Sequence, residues 1–83
     1  MSLQHLRNIG PASALMLREA GIANEADLRA LGAATAFTRV RFHFPRHATL
    51  HLLWALHGAL ERTDWRALDA ATKTRLKREA GID

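Results

Sequence analysis

Glycine and proline punctuate this chain at Gly10-Pro11, Gly21, Gly32, Pro45 and Gly81, so its fold has to be assembled from pieces that fit between those stops. Glycine enters left-handed backbone without strain and proline lacks an N–H, so both end helices. The pieces between them are dominated by Ala and Leu, with three Ile, one Val and no Tyr, a composition that favours helix over sheet. The expected fold is all-α: one domain over residues 1–83, a compact bundle of five to six short helices whose first part is a helical hairpin. At 83 residues its core is modest, since a chain of about 60 residues buries only about 60% of its unfolded surface.

The periodicity places the helices. Ser2 can cap a first helix carrying Leu3 and Leu6, after which Asn8-Ile9-Gly10-Pro11 forms a turn. Pro11 suits the first position of a second helix with Ala14 and Leu17 on one face, ended by Gly21. Asn24 and Asp27 resemble a capping box for a third helix that Gly32 closes. Residues 33–42 read as a fourth helix with Phe37 and Val40 inward and Arg39 and Arg41 displaced from them, broken by Pro45. Thr49 is positioned to cap residues 50–61, a helix apolar almost all round and so the expected centre of the bundle. Asp64 can cap a single turn that folds Trp65 and Leu68 onto the core, and Asp69 a last helix that Leu76 anchors and Gly81 ends.

Charge and chemistry narrow the functional classes. Lys and Arg total 12 against 8 Asp and Glu, a net charge of +4, which makes nucleic acid a permitted partner. The excess is local: Arg39, Arg41 and Arg46, with His43 and His47 among them, lie in a stretch without a carboxylate, readable either as a phosphate track or as a solvated face. Lys73, Arg75, Lys77 and Arg78 give the last helix a second basic side, which on the bland reading is the outer face of an amphipathic helix. There is no Cys, hence no disulfide, thiolate metal site or Cys nucleophile. His43 and His47 straddle Pro45, and His51 and His57 project about 120° apart on one helix, so no metal site is expected. His57 and Glu61 are instead spaced as a helix-face pair. The two serines, Ser2 and Ser13, stand at helix starts where capping explains them, and no phosphate or dinucleotide loop is present, so neither catalysis nor a cofactor is expected. Trp54 and Trp65 read as core rather than as base-stacking platforms. No secretory signal follows Met1 and no run approaches the about 20 apolar residues of a bilayer span, so the expected setting is cytoplasmic, with no membrane partner.

The segment from Leu6 through Asn8-Ile9-Gly10-Pro11-Ala12-Ser13-Ala14 to Ile22 resembles a helix-hairpin-helix motif, with Asn8 in place of the first glycine of its G-x-G turn. In such motifs the backbone N–H groups of the turn hold a DNA phosphate without reading sequence. By this resemblance Gly10, Ala12 and Ser13 are the contacting positions, Asn8 shapes the turn, and Arg7 and Arg18 add charge. Pro11 has no N–H to donate, and Ala12 stands where binding versions often carry Lys. Further on come Asp27-Leu28-Arg29-Ala30-Leu31-Gly32-Ala33, Leu52-Leu53-Trp54-Ala55-Leu56-His57-Gly58-Ala59-Leu60 and Trp65. That ordered series resembles the C-terminal domain of TfoX (Sxy), a family of bacterial competence regulators, over about residues 3 to 77. The resemblance implies an all-helical fold and a link to transcriptional control of DNA uptake, and it supplies no catalytic residues. Full TfoX regulators carry another domain ahead of this one, whereas Met1 here almost abuts the motif, as in a stand-alone relative or an excised domain.

Two functions follow as expectations. The first is a non-enzymatic regulatory module that binds double-stranded DNA non-specifically through phosphates, using Arg7, Asn8, Gly10, Ala12, Ser13, Arg18, Arg39, Arg41 and Arg46. The alternative is a protein-interaction or self-association module in which the hairpin is scaffolding and an apolar patch from the Leu50 to Leu60 helix or the final helix meets the partner.

Overall fold

The computed structural model describes residues 3–82, and the expected Ser2 cap lies outside them. Five α-helices and two 3₁₀ turns follow one another, with no strand among the described residues. The first element is a single 3₁₀ turn, Leu3–His5, rather than an α-helix through Leu6. The first arm of the expected hairpin is therefore only a turn, because Asn8 takes up left-handed backbone (φ 73°) and stops the chain there. Asn tolerates that region better than other side chains, as its place in the turn requires.

Helix α1 (Pro11–Glu19) buries Ala14 and Leu17. Gly21 then turns left-handed (φ 88°), which lets the Ile22 N–H donate to the Leu17 carbonyl at 2.8 Å and swings the Ile22 side chain fully into the core. Asn24 caps α2 (Glu25–Leu31), accepting from the Asp27 N–H at 2.9 Å. The reciprocal bond departs from the expected box: the Asp27 carboxylate accepts from Ala23 N–H, at 3.1 Å. Helix α3 (Ala33–His43) runs one residue past the expected end. Helix α4 (Leu50–Leu60) begins after Thr49, whose side chain makes no capping bond. A second 3₁₀ turn, Trp65–Ala67, is capped by Asp64, and α5 (Ala70–Glu79) by Asp69.

One cluster of buried side chains joins all five helices, with Phe37, Leu17, Ile22, Leu28, Val40, Leu53, Leu56 and Leu76 fully enclosed. Each such Leu, Ile or Phe contributes about 1.5–3 kcal/mol relative to exposure. Helix α3, not α4, is the hub: it packs against α1, α2, α4 and α5. Its inner face pairs small with large residues, Ala33 and Ala36 beside Phe37 and Val40, so neighbours approach on several sides. Helix α4 contributes the longest run of buried positions, including Gly58.

Three further expectations change. Trp65 and Leu68 stay outside the core, because the second 3₁₀ turn lies across α4 and buries none of its residues; the Trp65 ring sits 4.4 Å from that of His51 instead. Trp54 reaches the core only at its margin, with the Lys73 ammonium 5.7 Å from its ring centre. Between His57 and Glu61 the bond is a backbone one, the Glu61 N–H donating to the His57 carbonyl at 3.0 Å, and no ion pair joins their side chains among the described residues, since α4 ends at Leu60 and Glu61 is its exposed C-cap.

Candidate nucleic-acid interface

Two regions carry the residues that sequence reasoning selects. The first is the turn entering α1. Gly10 is extended (φ −94°, ψ −178°) and exposed, and Pro11 has no N–H, so the Ala12 and Ser13 amides are the unbonded donors of the first turn. The Ala14 N–H already reaches the Gly10 carbonyl at 2.9 Å.

Asn8 is committed inward. Its Nδ2 donates to the carbonyls of Thr63 (2.9 Å) and Ala55 (3.5 Å), and its Oδ1 accepts from the Trp65 N–H (3.4 Å). The side chain thus ties the α1 entrance to the segment after α4 and serves the turn rather than the solvent. Arg7 pairs with Asp64 at 3.6 Å. The Asp64 carboxyl is held well below the ordinary range, chiefly by the Arg66 side-chain hydrogen bond and then by the Arg66 backbone N–H, so it stays ionised and offsets the charge of Arg7. Arg18, in the last turn of α1, is exposed and has no ion pair among the described residues.

The second region is the C-terminal half of α3 and the loop beyond it. From Ala33 to Leu60 the chain has no carboxylate. Five arginines elsewhere find acids: Arg7 and Arg66 on Asp64, Arg29 and Arg62 on Glu25, and Arg75 on Glu79. Arg39, Arg41 and Arg46 find none among the described residues. Arg41 lies over the Phe37 ring, 5.6 Å from its centre. The Arg39 guanidinium lies over Gly21, 3.8 Å from where a side chain would begin there. Arg39 is therefore at the opposite end of α1 from Gly10, and at 1.5 Å per residue the eleven-residue step between the two glycines spans about 16 Å. The candidate residues form two separated groups.

Between Arg39 and Arg41 the same helix presents Phe42, 83% exposed, the most exposed large apolar side chain among the described residues. Sequence reading left it unassigned, although its offset from Phe37 and Val40 turns it away from the core. Its ring meets His43 edge-on at 5.4 Å, and His43 in turn tilts against Phe44 at 6.4 Å.

Elsewhere a shallow groove of about 360 Å³ is lined by His5, Leu6, Arg7, Glu25, Ala59 and Arg62, but Glu25 and Arg62 pair within it at 3.9 Å and leave little net charge. Among the described residues no three His, Asp or Glu side chains gather as a metal set, and no helix is long and apolar enough to cross a membrane.

Fold and charge together define a small all-helical domain with a locally unbalanced basic surface. The sequence matches the TfoX C-terminal domain over residues 1–80, and the chain belongs to that family. The crystal structure of an uncharacterised protein from Listeria monocytogenes superposes with a TM-score of 0.86 at 34% identity, covering 93% of this chain and 86% of that one. No curated protein matches the sequence.

Proposed function

We propose that this TfoX C-terminal domain is a non-enzymatic regulatory module of the bacterial cytoplasm that binds double-stranded DNA through backbone phosphates, without sequence preference, in the control of DNA-uptake genes. The observation that carries the reading is the set of three arginines, Arg39, Arg41 and Arg46, without ion pairs among the described residues and in a segment devoid of carboxylates, while five of the other seven arginines are paired. Arginine suits phosphate because its planar fork donates two parallel bonds. The Ala12 and Ser13 amides supply a second, weaker contact at the α1 entrance.

The test is fluorescence anisotropy of a labelled random duplex at two salt concentrations, with the wild type and the R39A/R41A/R46A variant. Binding that weakens with salt and falls further in the variant is expected. No anisotropy change at high micromolar protein and low salt overturns the reading. The protein-interaction alternative draws on Leu50, 40% exposed at the start of α4, and predicts a mass that rises with concentration in light scattering.

A further inference from the structure

Phe42 occupies a position that phosphate binding alone does not explain. At about 100° per residue, it points almost directly away from the face of Phe37 and Val40, with Arg39 about 60° to one side and Arg41 about 100° to the other. The ring therefore stands at the middle of the outward face of α3, between two cations without acid partners. Its edge-on contact with His43 gives it a neighbour on one side, so it is a supported platform rather than an isolated side chain. Arg46 follows in the loop just beyond.

We infer that this end of α3 takes a single-stranded nucleic acid, an unpaired base stacking on Phe42 while Arg39, Arg41 and Arg46 hold the flanking phosphates. The inference rests on the phosphate reading above and adds to the duplex proposed there a second class of ligand, a single strand held by the same arginines. An exposed aromatic ring among arginines is the combination that strands with free bases exploit, because every base has a face to stack and every linkage a charge to neutralise. A duplex offers the charge but keeps its base faces stacked on one another. A second copy of this chain is the poorer occupant, since joining the same surface twice would bring six arginines together with no carboxylate between Ala33 and Leu60 to offset them.

The experiment compares three labelled probes of equal length by anisotropy: a thymidine 12-mer, a 12-mer of abasic linkages, and a 12-base-pair duplex. The thymidine strand is expected to bind at least about fivefold more tightly than the abasic strand, the lower end of what stacking one base contributes. Phe42→Ala removes that difference and leaves the abasic and duplex affinities unchanged, Phe42→Trp preserves it, and R39A/R41A/R46A weakens all three probes. Equal binding of the thymidine and abasic strands by the wild type, or a ratio that survives Phe42→Ala, overturns the stacking inference and leaves phosphate binding standing. Absence of binding to every probe overturns both. A concentration-dependent dimer that Phe42→Ala dissolves overturns the inference in favour of self-association.

Discussion

Asn8 lies against Gly58 so closely that a side chain on the glycine would run into it: a Cβ built there falls 2.6 Å from the Thr63 carbonyl oxygen and nearer still to the Asn8 amide nitrogen. Gly58→Ala ordinarily favours a helix by about 1 kcal/mol. Here the Asn8 amide is held by its own hydrogen bonds and the Thr63 oxygen belongs to the backbone, so overpacking of about 1–3 kcal/mol prevails. Urea denaturation of G58A should show a lowered midpoint; an unchanged or raised one would mean that the turn after α4 yields freely.

Asn8 itself supplies two things that substitution separates. Asn8→Gly keeps the left-handed backbone and loses the bonds to Ala55, Thr63 and Trp65, each worth about 0.5–1.5 kcal/mol. Asn8→Ala loses them and adds a backbone penalty of about 1–2 kcal/mol. The expected order of stability is wild type, then N8G, then N8A. If N8G matches the wild type in denaturant, only the backbone angle matters at this position.

Acid should weaken the fold through its caps. The Asp64 and Asp69 carboxyls are both depressed, Asp64 first by the Arg66 side chain and Asp69 first by the Thr72 backbone N–H. A depressed carboxyl stabilises the folded state above its unfolded value, near 3.9, and that contribution is lost as pH falls through the folded value. Melting temperature should therefore fall below about pH 4, and less steeply in D64N, which keeps a capping oxygen but no charge. Parallel acid limbs in the two proteins would exclude Asp64 as a source.

Two phenylalanines on one helix should respond oppositely to truncation. Phe37 is 1% exposed and Phe42 83%. Phe37→Ala should cost about 3–5 kcal/mol, a large share of the stability of a domain this size. Phe42→Ala should stay within about 0.5 kcal/mol. A large loss in F42A by thermal melting would place that ring in the core after all.

Salt dependence should distinguish the two groups of cations. Each phosphate contact removed lowers the slope of log affinity against log salt by about 0.9 for duplex DNA, so R39A/R41A/R46A should flatten it by up to about 2.7. Arg7→Ala should change it less, because Asp64 already engages Arg7. A larger effect from Arg7 would move the contact surface to the α1 entrance.

Local rules located most elements in the sequence. Asn24, Asp64 and Asp69 cap where their positions suggest, and Gly21 and Gly32 end helices as expected. What local rules miss is set by contacts distant in sequence. Asn8 looks like a turn residue, and nothing nearby shows that its amide is used by Thr63. Trp65 looks like core by composition, yet a 3₁₀ turn lying across α4 leaves it beside His51. The basic stretch was legible as a run without acids. That Arg39 would lie over Gly21, far from Gly10, depends on how α3 crosses α1. Phe42 could have been found by counting from Phe37 and Val40, because its outward direction follows from helical period alone.

The partners of Asn8 also bear on how the chain is made. The carbonyls of Ala55 and Thr63 that hold its amide leave the ribosome about fifty residues after Asn8 does, several seconds later at 5–20 residues per second. Until then the entrance to α1 has nothing to fasten it in its left-handed bend, and the first half of the chain must wait for the second before its opening turn is set.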